Sequence, residues 1–168
     1  LRPRRRLVVL DNVDPAGVAA KLAGLEAERT AVNVITKSGS TAETMANLLV
    51  VLGRMEGKLG PRHTRRWSAT TDPKRGDLRG LADRLGIPIL PVPENVGGRF
   101  SVLTPVGLVP AAFLGIDIGA LMQGARDMRK RCWSEPPEKS AGVLGAALLH
   151  ALATTRGRSI QVLMPYAD

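Results

Sequence analysis

The sequence has 168 residues, a formal net charge of +9 at pH 7 and only 3% aromatic residues. This length fits one domain with a sizeable buried core, and a single cysteine, Cys132, excludes an internal disulfide and a cysteine-rich zinc site. No apolar run approaches the roughly 18 residues of a membrane span, and so few aromatics argue against a platform for stacking nucleic-acid bases. We therefore expect a soluble, cytoplasmic domain that binds neither membrane nor nucleic acid and whose positive charge attracts a small anion.

The first half of the chain alternates predicted strands and helices. A helix is expected after Asp14, where an N-cap precedes a proline, another from Ser40 or Thr41, and a third that Gly86 closes. Four short apolar runs are predicted to be buried strands: Leu7–Leu10, Ala31–Ile35, Trp67–Thr70 and Ile87–Val92. This β-α-β-α-β-α-β order predicts an α/β fold, a doubly wound three-layer αβα sandwich with a mainly parallel sheet.

The second half is predicted to be mainly helical. Three helices, over Pro105–Leu114, Asp117–Arg131 and Ser140–Arg156, are expected before a last apolar strand at Ile160–Met164. The polar stretch that begins at Glu56, EGKLGPRHTRR, is predicted to be a loop between the second helix and the third strand.

The stretch VITKSGSTAET, residues 34–44, places hydroxyl side chains between a predicted strand and the start of a helix. Ligands of open parallel sheets bind at the carboxyl ends of the strands, and a helix N-terminus favours a phosphate. Gly39 lets the backbone approach a ligand closely, whereas Lys37 either adds charge or points away. The same hydroxyls are typical of an ordinary helix cap and turn, so this stretch alone leaves both interpretations open. Its spacing is neither that of a P-loop nor that of a dinucleotide-binding loop, which favours one phosphate monoester.

Four segments, DNVDP, VITKSGSTAET, WSATTDP and ENVGGRFSVLTPVGL, resemble the glucose-6-phosphate isomerase family in the same order and at similar spacing. The last segment is the most specific, whereas SGSTAET is shared by many sugar-phosphate-binding domains. The resemblance covers most of the chain and implies interconversion of glucose 6-phosphate and fructose 6-phosphate through a cis-enediolate, in glycolysis and gluconeogenesis. We expect no metal or other cofactor, because the sequence carries no metal-cluster or cofactor motif and proton transfer through an enediolate needs neither. The resemblance implies a sugar-phosphate substrate and a homodimer. It also implies a single SIS-type (sugar isomerase) domain over residues 1–168, with the core and phosphate loop in 1–93 and the signature loop, helices and last strand in 94–168.

The resemblance also implies roles for particular residues. Arg99 would stabilise the negative charge of the enediolate, a role that suits a fixed guanidinium beside a developing oxyanion; the alternative is a surface ion pair. Glu94 opens the most specific segment and is expected to order the loop rather than to act as the base. The residues implied to bind substrate are Thr36, Lys37, Ser38, Gly39, Ser40, Thr41 and Gly98.

An aldose–ketose isomerase needs a general base. The resemblance implies that the base, a glutamate, and a ring-opening histidine and a lysine follow Asp168, and that a Gly-Gly-Ser phosphate turn precedes Leu1. We therefore expect this chain to be an internal piece of a longer isomerase. His63 and His150 are expected to be structural or solvent-facing. The alternative is a non-catalytic sugar-phosphate-binding module of the same fold, although such a module has no need of an enediolate-stabilising arginine.

Overall fold

The computed structural model describes residues 5–134, 136–162 and 164. Three short 3₁₀ helices lie at Ala27–Arg29, Gly60–Arg66 and Gly98–Leu103. The strands are β1 (Val32–Thr36), β2 (Trp67–Thr71) and β3 (Ile89–Pro91). The α-helices are α1 (Pro15–Ala23), α2 (Ala42–Leu59), α3 (Asp77–Leu85), α4 (Pro105–Leu114), α5 (Ile118–Ser134) and α6 (Ala141–Arg156). None of the helices formed by these residues is long and apolar enough to cross a membrane.

The three strands form a parallel sheet in the order β1-β2-β3. Val32 pairs with Trp67 and Thr36 with Thr71, so β1 and β2 run side by side in register over their whole length. Because parallel neighbours need crossover connections, α2 joins β1 to β2 and α3 joins β2 to β3. The predicted α/β fold with a parallel sheet is confirmed, and the carboxyl ends of all three strands meet at one edge.

The hydrophobic core lies on one face of this sheet. Side chains alternate between faces along a strand, so Val34, Trp67 and Ala69 point to the same side and are buried there. They pack with apolar side chains of α1, α2 and α3: Val18, Leu22, Leu48, Val51, Met55, Leu78 and Ala82. The helices thereby fix the strands, and with them the loops that leave the carboxyl edge.

The opposite face of the sheet carries polar contacts at its centre. The side-chain oxygen of Asn33 accepts hydrogen bonds from Ser68 Oγ at 3.2 Å and from Thr70 Oγ1 at 3.0 Å. Thr70 is fully buried, and a buried hydroxyl is costly unless it finds a partner. These bonds therefore tie β1 to β2 through side chains as well as through the backbone.

The helix ends follow the predicted capping residues. Asp14 caps α1, because its carboxylate accepts a hydrogen bond from the Gly17 N–H at 2.6 Å. Thr41 is the N-cap of α2. Gly86 follows α3 in the left-handed conformation, φ 64° and ψ 30°, which costs glycine little.

Three predictions about secondary structure were wrong. Residues 7–10 form no strand: Leu7 and Val9 are exposed, and the Val9 carbonyl accepts from Lys21 Nζ instead of from a neighbouring strand. The described residues of the predicted last strand, 160–162 and 164, are likewise exposed and outside any strand. The stretch from Glu56 is not a loop, because α2 continues to Leu59 and a 3₁₀ helix follows directly. An apolar run reports local preference, whereas a strand also needs a partner for its backbone groups.

The chain divides into two compact units, one up to Ile118 and one from Gly119 onward. The first contains the sheet, α1 to α4 and all residues of the candidate site. The second contains most of α5 and all of α6, whose leucines are largely exposed. The single domain expected over residues 1–168 stays a prediction.

Candidate functional site

Three loops leave the carboxyl edge of the sheet next to one another. We call residues 36–41 the hydroxyl loop, residues 72–76 the β2 loop and residues 92–97 the β3 loop. The first leads from β1 into α2, the second from β2 into α3, and the third from β3 into the 3₁₀ helix at Gly98–Leu103. The predicted site residues thus lie in the hydroxyl loop, residues 36–41, and directly after the β3 loop, at Gly98 and Arg99.

Three side-chain oxygens of the hydroxyl loop form a small triangle. Thr36 Oγ1 lies 3.5 Å from Ser38 Oγ and 3.2 Å from Thr41 Oγ1, and the last two oxygens are 3.3 Å apart. Thr36 is buried, whereas the other two residues are exposed to solvent. The triangle is therefore buried at Thr36 and open to solvent at Ser38 and Thr41.

Thr41 occupies the N-cap position of α2 but its side chain caps no backbone N–H. An N-cap threonine ordinarily accepts a bond from the N–H two or three residues later; here the hydroxyl turns to Thr36 and Ser38 instead. The first N–H groups of this 18-residue helix therefore keep their partial positive charge beside three hydroxyls. Capping by Thr41, one part of the alternative left open by the sequence, is therefore not formed, whereas the turn part is, because Ser38 Oγ accepts a hydrogen bond from the Ser40 N–H at 3.4 Å.

The backbone of the β2 loop packs against the backbone of the hydroxyl loop at two glycines, Gly76 and Gly39. Gly39 has φ +73° and Gly76 φ +100°, and a Cβ on Gly76 would lie 2.5 Å from the carbonyl oxygen of Ser38. The Asp72 N–H donates to the Lys37 carbonyl at 3.3 Å, and the Leu78 N–H donates to the Gly39 carbonyl at 3.1 Å. The backbone of the hydroxyl loop is held at both of these points.

The β2 loop is itself ordered by Asp72. Its carboxylate accepts hydrogen bonds from the N–H groups of Lys74 at 2.8 Å and Arg75 at 3.0 Å. The hydrogen bond from the Lys74 N–H, followed by that from Arg75 and by the charges of Arg75 and Lys37, holds the pKa of Asp72 below its usual value. The carboxylate is therefore ionised at neutral pH and fixes the turn that carries Gly76.

Two lysines connect the β3 loop to the other loops. Lys37 Nζ donates to the Glu94 carbonyl at 3.0 Å and also to the Val96 carbonyl. Lys74 Nζ lies 2.8 Å from Glu94 Oε1, and this hydrogen-bonded carboxylate raises the pKa of Lys74. The ion pair engages the side chain of Glu94, the residue expected from the sequence to order its loop.

Gly98 and Arg99 begin the 3₁₀ helix that follows the β3 loop, and both are exposed. This helix is fixed by Ser101, whose Oγ donates to the Gly98 carbonyl at 2.5 Å. Thr104 Oγ1 donates to the Ser101 carbonyl at 2.6 Å, and both of these hydroxyl residues are buried. Arg99 forms no hydrogen bond or ion pair with the residues that the structure describes, so the surface ion pair considered as its alternative role is not formed among them.

His63 precedes the amino-terminal end of β2, the opposite end of that strand from the candidate site, and His150 lies in the second compact unit. His63 is buried in the 3₁₀ helix before β2, where its ring meets Trp67 edge-on at 6.3 Å. His150 is exposed on α6, and Cys132 is partly exposed near the end of α5. Within the described ranges, no group of three or more His, Cys, Asp or Glu residues is arranged to hold a metal ion.

The sequence did not single out Asp72, Lys74 or Gly76, which complete the site. The segment TDPKRGD by itself predicts only a turn before a helix. Its aspartate two residues before a lysine is a typical signal of a side chain that accepts backbone N–H bonds in a turn. Contact between Gly76 and the hydroxyl loop had no sequence signal, because it depends on how two strand ends lie side by side.

The parallel sheet with its crossover helices defines an α/β domain, a class in which ligands bind at the carboxyl ends of the strands. The sequence model of the phosphoglucose isomerase family matches residues 2–168. The chain belongs to this family.

Relatives agree with that assignment, and a solved structure shares the fold. The chain is 50% identical to the glucose-6-phosphate isomerase of Carboxydothermus hydrogenoformans over 169 residues, all of this chain and 36% of that protein. It is also 50% identical to that of Rubrobacter xylanophilus over 167 residues, 97% of this chain and 38% of that protein. A crystal structure of the hypothetical protein TT0462 from Thermus thermophilus superposes with a TM-score of 0.80 at 45% identity, over 84% of this chain and 34% of that one. The chain thus spans little more than a third of the length of these relatives.

Proposed function

We propose that the protein to which this chain belongs is an aldose–ketose isomerase that interconverts glucose 6-phosphate and fructose 6-phosphate. The observation that carries the proposal is the hydroxyl triangle at the start of α2, with edges of 3.2 to 3.5 Å and open to solvent at Ser38 and Thr41. Family membership supplies the reaction, since the relatives described above carry that name. Because these relatives are much longer than this chain, the activity belongs to the whole protein and not to this chain alone.

In this proposal the substrate phosphate sits on the solvent-exposed side of the triangle. Thr36, Ser38 and Thr41 donate their hydroxyl hydrogens to phosphate oxygens, and the free N–H groups of α2 add their partial charge. Ser40 is exposed beside them. Lys37 and Gly39 contribute the backbone of the loop. A phosphate bound here anchors one end of the sugar, which leaves the carbonyl end to reach toward Gly98 and Arg99.

The reaction moves one proton between two adjacent carbons. A base removes the proton from the carbon next to the carbonyl, the electron pair forms the enediolate double bond, and the carbonyl oxygen becomes an oxyanion. Return of the proton to the former carbonyl carbon completes the isomerisation, while the proton of the adjacent hydroxyl passes to the oxyanion and that carbon becomes the new carbonyl. Arg99 is exposed and free of an ion pair with described residues, so its guanidinium can bind the oxyanion as charge develops. The base is not assigned to any residue of this chain.

The proposal includes the homodimer that the family resemblance implies. It also includes a cytoplasmic location, because sugar phosphates are metabolites of the cell interior. Its place in glycolysis and gluconeogenesis follows from the two substrates. No observation favours the non-catalytic binding module over the enzyme.

The test is conversion of fructose 6-phosphate by the full-length protein, measured with a coupled assay. Replacing Arg99 by Ala should lower kcat by about 10²–10³-fold, the usual loss when an oxyanion stabiliser is removed. The matched control is Arg84→Ala, which removes an exposed guanidinium from the last turn of α3 and should leave kcat within about twofold. A wild-type protein that binds the sugar phosphate without converting it would support the binding module instead, and undiminished kcat in the Arg99 variant would remove the role proposed for that residue.

A further inference from the structure

Lys37 joins all three loops at the carboxyl edge of the sheet. Its main-chain carbonyl accepts a hydrogen bond from the Asp72 N–H at 3.3 Å, which links it to the β2 loop. Its side chain reaches the β3 loop, where Nζ donates to the carbonyl oxygens of Glu94 and Val96. One residue of the hydroxyl loop therefore contacts both neighbouring loops, at sequence separations of 57 and 59 residues in the β3 loop.

The two carbonyls use most of the hydrogen-bonding capacity of this side chain. A lysine ammonium has three donors and no acceptor, and two of the three are directed at main-chain oxygens. Hydrogen bonds from an ionised donor are shorter and about twice as strong as neutral ones. The side chain is also half-buried, so these bonds compete less with water. The ammonium group of Lys37 therefore has only one donor left that is not bonded to the backbone of the β3 loop.

The part of the β3 loop that Lys37 contacts ends at Val96, three residues before Arg99. Three residues of extended chain span at most about 10 Å, so the position of the Val96 carbonyl limits where the guanidinium can begin. The β3 loop itself carries a proline near its start and glycine at its end, and its residues 93–95 are exposed. Apart from Lys37, the β3 loop is held by the short strand β3 and by the exposed ion pair between Lys74 and Glu94, and an exposed ion pair contributes little stability.

We propose that Lys37 is a positioning residue: it holds the β3 loop against the hydroxyl loop and so sets the separation between the phosphate anchor and Arg99. This inference rests on the proposed function for the roles of those two ends. It assigns the ammonium group to the protein backbone and not to the substrate phosphate. A sugar phosphate bound at one end then presents its reacting carbons to a guanidinium already at the right distance, which is what proximity effects in catalysis require.

The experiment compares Lys37→Met, Lys37→Arg and Lys58→Met in the full-length protein. Methionine removes the donors but keeps an unbranched chain of similar length, whereas arginine keeps a charge that can bridge two carbonyls. Lys58 is exposed in the last turn of α2, at the opposite end of that helix from the hydroxyl loop. Lys58→Met therefore removes a charge of the same kind far from the β3 loop contacts. Three quantities are measured: kcat and KM for fructose 6-phosphate, the Kd of inorganic phosphate by calorimetry, and hydrogen exchange of peptides covering residues 92–99.

We expect Lys37→Met to lower kcat by about 10- to 100-fold, the range for misplacing a catalytic group by about 1 Å. The Kd of inorganic phosphate should stay within about twofold, and exchange over residues 92–99 should become faster. Lys37→Arg should recover most of kcat, and Lys58→Met should change none of the three quantities.

A tenfold weaker phosphate affinity in Lys37→Met with unchanged exchange over residues 92–99 would overturn the proposal, because that pattern describes a phosphate ligand. Unchanged kcat in Lys37→Met would overturn it as well. If the wild-type protein proves inactive, the proposed function fails; calorimetry and exchange still decide between the two assignments of the ammonium group.

Discussion

Gly76 and Gly39 are required at their positions for reasons of space as well as of backbone conformation. Gly76 has φ +100° and ψ 157°, a region that side chains essentially exclude. A Cβ there would also stand 2.5 Å from the Ser38 carbonyl oxygen. A Cβ on Gly39 would stand 2.9 Å from the Cα of Gly76. These two glycines let the hydroxyl loop and the β2 loop touch through their backbones.

Replacing Gly76 by Ala should therefore both destabilise the protein and weaken anion binding. The strained backbone alone costs about 1–3 kcal/mol, and the new methyl group displaces Ser38, whose hydroxyl belongs to the triangle. The control is Gly86→Ala, because Gly86 also has a positive φ but no atom within 4 Å of the added Cβ. Gly86→Ala should lower the Tm of the full-length protein by a smaller amount than Gly76→Ala and leave the Kd of inorganic phosphate unchanged. Equal phosphate affinities in the two variants would show that contact between the loops does not shape the anion site.

The sequence indicated the candidate side chains of the site but not the contacts between its loops. A run of hydroxyls before a helix is a local pattern, so Thr36, Ser38 and Thr41 could be chosen as candidates without coordinates. The carbonyl partners of Lys37 lie 57 and 59 residues away in sequence, and no local pattern reports such a distance. For the same reason the sequence leaves open whether this lysine points toward the phosphate or away from it.

At the level of elements, the β2 loop depends on the ionised carboxylate of Asp72. Its hydrogen bonds to the N–H groups of Lys74 and Arg75 lower the pKa of Asp72 in the folded state. A group with a lowered folded-state pKa contributes stability that is fully present above its unfolded pKa and is lost as the pH falls through the folded value. The loop should therefore be intact above about pH 3.8, the usual value, and loosen below it.

Hydrogen exchange over residues 72–78, corrected for the intrinsic rate at each pH, measures this loosening. Protection in the wild-type protein should be constant from neutral pH down to about 4, close to the ordinary pKa of an aspartate, and then fall as Asp72 takes up a proton. In Asp72→Asn the uncharged amide oxygen still accepts N–H bonds, so protection should be lower at neutral pH and show no such step. A step of the same size in both proteins would mean that another acid controls the loop.

The α-helices and the three sheet strands were predictable from the sequence, including α6, expected over Ser140–Arg156 and found over Ala141–Arg156, whereas the apolar runs that form no strand were not. β1 and β2 are apolar runs that lie within one residue of their predicted bounds, and α3 ends at Gly86 as predicted. The run at residues 7–10 has the same apolar character, yet its carbonyl at Val9 bonds to Lys21. Strand formation depends on a neighbour for the backbone, and single-sequence patterns carry no information about which neighbour is available.

At the scale of the whole molecule, α6 carries a stripe of exposed leucines. Leu144, Leu148 and Leu152 lie one helical turn apart with exposed fractions of 44%, 55% and 45%. Contiguous exposed apolar surface of this kind marks an interaction site in soluble proteins. The relatives described above extend well beyond the matched region, since it makes up 36% and 38% of their length.

We therefore predict that the leucine stripe of α6 is buried in the full-length protein. Leu148→Lys should lower its Tm strongly, because a charge placed in an apolar contact costs several kcal/mol unless it is paired. His150→Lys is the matched control, since position 150 lies two residues on and about 200° around the helix and is also exposed; its effect should be within about 0.5 kcal/mol. The measurement is thermal denaturation of both variants together with light scattering to determine the molar mass.

A lowered Tm at unchanged mass would indicate cover by the same polypeptide, whereas a loss of mass in Leu148→Lys alone would indicate cover by a second copy. Equal Tm and equal mass in both variants would contradict burial of the stripe, because a solvent-facing leucine can be replaced by lysine at little cost.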